Sequence, residues 1–358
     1  MTKKSTPSTA DLLVEFDARR APALARAVSI VENRRDGAEG LLAALHGRIG
    51  RARRIGITGP PGAGKSTVTS YLTKLYREAG LTVGIVAVDP TSPFTGGALL
   101  GDRVRMETVA LDPGVFIRSM ATRGSLGGLS SATRDVCDVL DAFGFDRIVI
   151  ETVGVGQSEL EISRTADSSV VILVPESGDS IQALKAGLME IADLFVVNKS
   201  DRPGADRLVN ELEVMLGLRS GNAMQHVPAH HGVELRAANP ARRAREMAAT
   251  VGNASWTPPV LKTIAKDGTG VAELLTALDR HFDYLETSGT LRERRRLRLR
   301  DRVRDAVDLR VRDRLWGNAE TEARLARELP ALEAGRTSPL AVADALLAES
   351  GSLLTGEK

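Results

Sequence analysis

Eight consecutive residues, Gly59-Pro60-Pro61-Gly62-Ala63-Gly64-Lys65-Ser66, have the types and the spacing to hold a polyphosphate. They fit G-x-x-x-x-G-K-[ST], the phosphate-binding loop. Its glycines let successive backbone N–H groups curl around phosphate oxygens without Cβ clashes. Lys65 adds a point charge for the β- and γ-phosphates, Ser66 offers a hydroxyl to Mg²⁺, and Thr67 continues the run. A chance glycine-rich turn lacks the right flanks, and this one has them. Ile55-Gly56-Ile57 precedes it as a buried strand, and a helix-compatible segment from Ser66 to Ala79 follows. The expected ligand is a nucleoside triphosphate.

The base is read from a second motif. The apolar run Leu194-Phe195-Val196-Val197 leads directly into Asn198-Lys199-Ser200-Asp201. The Asp201 carboxylate can accept from both guanine N1–H and the exocyclic amine, a donor pair that adenine lacks. Asn198 supports the loop and reaches the base, and the stem of Lys199 packs along its face. Such tetrads also arise by chance; downstream of a phosphate loop and at a strand end, this one points to GTP. A further base-contacting segment is expected after the strand Val260–Thr263. That segment is Ile264-Ala265-Lys266, with the backbone N–H of Ala265 directed at guanine O6.

Magnesium needs oxygen ligands, and strand ends supply them. Asp89 ends Val86-Ala87-Val88-Asp89-Pro90, Glu151 ends the strand before Thr152-Val153-Gly154, and Asp102 lies in a glycine- and charge-rich loop. Each alone reads equally well as a turn former; three around one phosphate loop read as a metal site with Ser66. The attacking water is less well served. Val155 follows Gly154 where Ras-like enzymes place a water-orienting glutamine, and Gln157 comes two residues later. Arg103, Arg105, Arg118 and Arg123 are candidates for transition-state charge, or plain surface residues. The expected enzyme, with Lys65, Asp102 and Glu151 as its catalytic groups, is slow alone and accelerated by a partner.

These residues need a scaffold that brings strand ends together. Strands are expected at 54–58, 83–88, 115–119, 147–151, 170–174, 194–197 and 260–263. Helices are expected at 130–143, 180–191 and 205–216 between them, and at 240–251 in a long excursion from 218 to 259. This is the pattern of a mostly parallel sheet covered on both faces. Residues 10–32 and 37–49 carry apolar residues at helical spacing. From about 287 the composition changes. Leu291 to Trp316 holds eleven arginines and five acidic residues, with Leu299, Val303, Val307, Val311 and Leu315 every four positions. Two further helices, 319–332 and 339–347, can pack onto it. The apolar stripe marks an interaction arm rather than a nucleic-acid surface, because acids interleave the arginines and no aromatic stands among them.

The 358 residues carry a formal charge of +2, which gives no global pull toward nucleic acid. Cys137 is the single cysteine, so no intramolecular disulfide forms. No apolar run approaches the length of a membrane span, and the first residues lack a signal-peptide pattern. A cytoplasmic protein is expected.

The motifs together resemble one family. Gly59 to Thr67, Val88-Asp-Pro-Thr-Ser-Pro93, Gly101-Asp-Arg103, Arg118-Ser-Met-Ala-Thr-Arg-Gly124, Glu151-Thr-Val-Gly-Val-Gly-Gln157 and Trp256-Thr-Pro-Pro259 are similar to those of the MeaB/ArgK/MMAA group. These are GTPase chaperones of adenosylcobalamin-dependent acyl-CoA mutases. The resemblance implies a G domain at 51–286, an N-terminal helical extension at 1–50 and a C-terminal helical region at 287–358 that makes a homodimer. It implies GTP/GDP and Mg²⁺ as cofactors, with Ser66, Asp89, Asp102 and Glu151 around the metal. It also implies a loop coupling nucleotide state to the mutase, including Asp179, Gln182 and Lys185. One departure is the Ile264 of Ile264-Ala265-Lys266, where the family commonly has serine; weaker bracing of that loop is expected. Two other readings remain: a nickel-delivery type of metal-insertion GTPase, for which His226, His230 and His231 are the candidate ligands, and a transport-system kinase.

Overall fold

The computed structural model describes residues 9–90, 106–122, 131–152, 162–175, 187–219 and 256–349, some side chains within those ranges excepted. Two compact units divide the chain, residues 1–291 and 292–358.

The first unit is built on seven strands: β1 (Arg53–Thr58), β2 (Val83–Pro90), β3 (Val115–Thr122), β4 (Arg147–Thr152), β5 (Ser168–Leu173), β6 (Leu194–Asn198) and β7 (Val260–Thr263). All seven expected strands are present. They form one parallel sheet in the order β3-β2-β4-β1-β5-β6-β7, with β1 central. Every residue of β5 and β6 is buried, as an all-parallel sheet covered on both faces requires.

The helices are α1 (Thr9–Asp17), α2 (Ala21–Glu32), α3 (Ala38–Leu45), α4 (Lys65–Glu78), α5 (Ser131–Phe143), α6 (Ala205–Arg219) and α7 (Val271–Thr287). Alternation along the strands divides the core between two faces. Val170, Ile172, Leu194 and Val196 pack with Val68 and Leu72 of α4 and Leu274 and Leu278 of α7. Their neighbours Val171, Leu173, Phe195 and Val197 turn to Leu208, Leu212 and Leu216 of α6. Val86, Val88, Ile148 and Ile150 share a core with α5 and with Phe16, Leu24, Val28 and Leu41 of the first three helices.

Two differences from the sequence expectation stand out. Residues 10–32 are not one helix: Arg19 adopts φ 58°, Arg20 is extended, and Pro22 opens α2. A proline without an N–H suits a first helical turn and disfavours an interior one. The helix α7, absent from the expectations above, covers β5, β6 and β7. The expected helix at 240–251 lies outside the described residues, and the one at 180–191 is described only from 187, with a helical turn at Met189–Ile191.

The amino-terminal edge of the sheet is tied by buried polar groups. Arg54 Nη2 donates to Asp138 Oδ1 at 2.7 Å and Asp141 Oδ2 at 3.1 Å. Asp141 also accepts from the backbone N–H groups of Gly50, Arg51 and Ala52, joining the N-terminal helices to α5. Burial works against the Arg54 charge, but Asp138 and Asp141 outweigh it and the guanidinium stays protonated. Burial pushes the neighbouring Cys137 thiol up to about 12. On β5, Ser168 Oγ meets His281 Nδ1 at 2.8 Å. The indole of Trp256 lies 4.7 Å from the His281 ring and donates Nε1–H to Asp193 O at 2.7 Å. This gives Trp256 of the Trp-Thr-Pro-Pro motif a structural task, anchoring the chain ahead of β7.

The second unit contains most of α8 (Thr290–Trp316), with α9 (Ala319–Glu333) and α10 (Pro339–Glu349). Asn318 caps α9, its Oδ1 accepting from Glu320 N at 2.9 Å. Thr321, Val342 and Leu346 are buried, whereas Leu299, Val303 and Val307 are 45%, 64% and 52% exposed. Along α8, then, the stripe is largely open to solvent and closes only at Leu315. No described helix is long and apolar enough to cross a membrane.

Candidate nucleotide site at the carboxyl edge of the sheet

The phosphate loop runs from the end of β1 at Thr58, through Gly59, Pro60, Pro61, Gly62, Ala63 and Gly64, into Lys65 at the start of α4. The unpaired N–H groups and positive end of a helix dipole therefore face the loop. Lys65 is 6% exposed, and its Nζ donates to Gly59 O at 2.8 Å and Pro60 O at 2.9 Å. Its ammonium is thereby held over the loop it serves. Thr67 follows as an exposed residue on the first turn of α4.

Ser66 and Glu151 come together. Ser66 Oγ donates to Glu151 Oε1 at 2.6 Å, and both residues are buried. The sheet makes this possible, because β4 lies directly beside β1 and pairs Ile57 with Glu151. Beneath them Thr152 Oγ1 donates to Thr58 Oγ1 at 2.9 Å. A hydroxyl and a carboxylate oxygen in contact beside a phosphate loop are the hard oxygen donors that Mg²⁺ takes, so the residues present fit that ion. Asp89 stands at the end of β2, opposite Ala121, and its side chain is not among those described. Asp102, Asp179, Gln182 and Lys185 lie outside the described residues, as do Arg103, Arg105, Arg123, Val155, Gln157 and the three histidines His226, His230 and His231. Among the described residues no cluster of His, Cys, Asp or Glu could hold a metal by itself.

Arg118, one of the four candidate arginines, is committed elsewhere. It sits on β3, the edge strand three positions from β1, and its Nε donates to Glu32 Oε2 at 2.8 Å. It joins α2 to the sheet.

Asn198 is the junction of the base side. Its Nδ2 donates to Ala63 O at 2.8 Å, while its Oδ1 accepts from Thr263 Oγ1 and from Ala265 N, both at 3.0 Å. One buried amide thus connects the phosphate loop, β7 and the loop after β7. Gly64, at φ 87°, is glycine for this reason as well as for its conformation: a Cβ there would run into Asn198 Nδ2. Ser200 N donates to Thr263 O at 3.1 Å, and Lys199 takes the left-handed conformation at φ 56°. That turn leaves Asp201 exposed. The N–H of Ala265, the expected donor, is held on Asn198 Oδ1 in this structure. The neighbouring Lys266 N–H has no partner among the described residues. Ile264 is held by a bridge to Thr269, its N–H donating to Thr269 O at 3.0 Å. Thr263 was legible only as a strand residue; nothing in its local sequence marks its hydroxyl as a brace for Asn198.

A family model described as "Methylmalonyl Co-A mutase-associated GTPase MeaB" matches residues 24–320. The chain belongs to this family. A Pyrococcus abyssi relative named as a GTPase is 48% identical over 285 residues, covering 80% of this chain and 79% of its own. The GTPase ArgK of Escherichia coli is 33% identical over 320 residues, covering 88% of each. The mouse methylmalonic aciduria type A homolog, a mitochondrial protein, is 32% identical over 298 residues, covering 82% of this chain and 64% of the mouse protein. The crystal structure of a LAO/AO transport system kinase matches with a TM-score of 0.63 at 25% identity, over 97% of this chain and 98% of that one. The protein is a P-loop GTPase of the MeaB family, with an α/β fold built on a parallel sheet.

Proposed function

We propose that this GTPase is a chaperone of an adenosylcobalamin-dependent acyl-CoA mutase, methylmalonyl-CoA mutase or a close relative, gating cofactor loading and protecting or reactivating the enzyme. The observation that carries the reading is the family match over residues 24–320, whose description names association with methylmalonyl-CoA mutase. The name of the mouse relative supports the same client chemistry.

In this reading Gly59 to Thr67 cradle the phosphates, and Lys65 sets its charge against the β- and γ-oxygens. Ser66 and Glu151, with Asp89 and Asp102, hold Mg²⁺. That ion supplies neutralisation of the charge that develops on the phosphates. Asp201 accepts from guanine N1–H and the amine, Lys199 packs on the ring, and Asn198 keeps the loops in register. The backbone N–H of Ala265, in Ile264-Ala265-Lys266, is the donor for O6. Asp179, Gln182 and Lys185 couple the nucleotide to the mutase. The division into 1–50, 51–286 and 287–358 belongs to the same reading, as do a homodimer through the C-terminal region and a cytoplasmic location.

Single-turnover GTP hydrolysis, with and without the mutase, tests it. Val155 in place of a water-orienting glutamine should make intrinsic turnover slow, with a half-life of minutes. The mutase should raise the rate, by up to about 10³–10⁵ if it supplies an arginine and by less if it only orders loops. Gln182→Ala or Lys185→Ala should blunt that stimulation selectively. Fast hydrolysis by the isolated protein, unchanged by the mutase, would sink the chaperone reading. The transport-kinase alternative rests on the name of one solved relative; phosphate transfer to a binding protein, in place of release to water, is the outcome that would favour it.

A further inference from the structure

The backbone ladder between β1 and β4 ends at the pair Ile57 and Glu151. One residue on, each strand pairs with its other neighbour, Thr58 with Val171 of β5 and Thr152 with Val88 of β2. The two threonines stay joined all the same, by the 2.9 Å bond from Thr152 Oγ1 to Thr58 Oγ1, and both are fully buried. Alternation turns Ile57 and Val149 toward α4, and Ile148 and Ile150 toward α5. The threonine pair therefore lies on the face of the sheet opposite Ser66 and Glu151. With it a ring closes. Thr152 adjoins Glu151, which accepts from Ser66 Oγ at 2.6 Å; Ser66 adjoins Lys65, whose Nζ donates to Gly59 O at 2.8 Å; and Gly59 adjoins Thr58. The end of β4 is thus tied to the beginning and to the end of the phosphate loop. On its other side the loop is pressed against β5, since a Cβ at Gly59 would sit 2.0 Å from Ile172 O.

We propose that Thr152, with Thr58 as its partner, is a positioning residue for Mg²⁺: the hydroxyl bond fixes the end of β4 against the phosphate loop, so that Ser66 Oγ and Glu151 Oε1 converge before the ion arrives. The inference rests on the Mg²⁺ reading of those two oxygens. Its physical basis is the narrow tolerance of the ion. Mg²⁺ demands near-octahedral geometry at about 2.0–2.1 Å, whereas Ca²⁺ accepts a flexible shell at about 2.3–2.6 Å. A small widening between strand end and loop therefore costs Mg²⁺ more than Ca²⁺. Donors ordered in advance also lose less entropy on binding than donors the ion must order for itself. The ladder leaves this last residue of the β1–β4 contact to side chains, and the threonine hydroxyls hold it.

GDP binding to the full-length protein, measured by calorimetry in Mg²⁺, in Ca²⁺ and in EDTA, tests the assignment without any hydrolysis. Thr152→Val keeps the shape of the side chain and removes the hydroxyl, whereas Thr152→Ser keeps the hydroxyl. In Thr152→Val the gain in affinity that Mg²⁺ confers should fall about threefold to tenfold, the range of one neutral hydrogen bond. The gain from Ca²⁺ should fall by less, and the affinity in EDTA should hold. Thr58→Val breaks the same bond from the other side and should reproduce this pattern. Thr152→Ser should behave as wild type. In the double variant Thr58→Val, Thr152→Val the loss should match that of one single variant rather than the sum of two. If affinity falls equally in Mg²⁺, Ca²⁺ and EDTA, the threonines only support the fold and the proposal is overturned. If wild type gains nothing from Mg²⁺, the metal reading of Ser66 and Glu151 falls and the threonine proposal with it. If wild type gains and both valine variants match it, the threonine pair alone is overturned.

Discussion

Ser66 Oγ donates to Glu151 Oε1 across 2.6 Å, joining the first turn of α4 to the penultimate residue of β4. The contact exists because β4 pairs with β1 in parallel, so the strand ends and the loops that leave them emerge side by side. The Glu151 side chain is thus long enough to reach the serine hydroxyl directly.

Ser66→Ala and Glu151→Gln should therefore cripple hydrolysis through the metal, and Lys65→Ala through the phosphates. Loss of a preorganised electrostatic group of this kind lowers turnover by about 10²–10³. Single-turnover rates over a Mg²⁺ titration would check it. Ser66→Ala and Glu151→Gln should both shift the Mg²⁺ dependence upward, whereas Lys65→Ala should depress the rate at every Mg²⁺ concentration.

Asn198 and Asp201 sit three residues apart and should fail differently. Asn198→Ala strands the Ala63 carbonyl, the Thr263 hydroxyl and the Ala265 N–H, all in buried surroundings. Each orphaned buried group costs about 1–3 kcal/mol, so the Tm should fall along with nucleotide affinity. Asp201 is exposed, and Asp201→Asn should leave the Tm alone. It should weaken GTP about ten- to a hundredfold, the worth of a charge-assisted bond of roughly 1.5–3 kcal/mol. Thermal melts beside competition with ATP and XTP separate the two. Unchanged GTP selectivity in Asp201→Asn would remove that residue from the base site.

The dimer reading makes α8 its contact. Val303 and Val307, 64% and 52% exposed, contribute little to the fold of their own unit. The double variant Val303→Glu, Val307→Glu should be monomeric by light scattering while it still binds GTP, and its helix content should match wild type. A variant that remains dimeric would take the stripe out of the interface.

Cys137 should be inert in the native protein. Its thiol is fully buried and pushed up to about 12, from an ordinary value near 9, so thiolate is scarce at neutral pH. Alkylation at pH 8 should be slow until denaturant is added, then rapid. The sign of the pH effect follows from the raised value. The folded state favours the protonated thiol, so this group costs nothing below the unfolded value near 9, and stability falls as pH climbs above it. Urea melts at pH 8 and pH 10 would show the loss.

Much of the fold was legible along the chain. Seven short Val/Ile-rich runs read as strands because a parallel sheet buried on both faces demands continuous apolar segments. The phosphate loop read correctly because its work is done by backbone, and a glycine pattern constrains backbone locally. The Asn198 tetrad was legible as the end of a buried strand, because an apolar run leads directly into it. The break at Arg19 and Pro22 was harder to see, since the apolar spacing runs on through it.

What local pattern cannot carry is which atoms meet once the strands are ordered. That β4 rather than β2 neighbours β1 brings Glu151 to Ser66, and no spacing between positions 66 and 151 encodes it. The placement of Arg118 on the far edge strand, against Glu32, removed a catalytic candidate that its sequence context had kept open. Thr263 meets Asn198 only because β7 pairs with β6 in this register. Motifs are read from the residues that touch ligand; the residues that hold them in place act across the fold, where partners are chosen by packing and not by spacing.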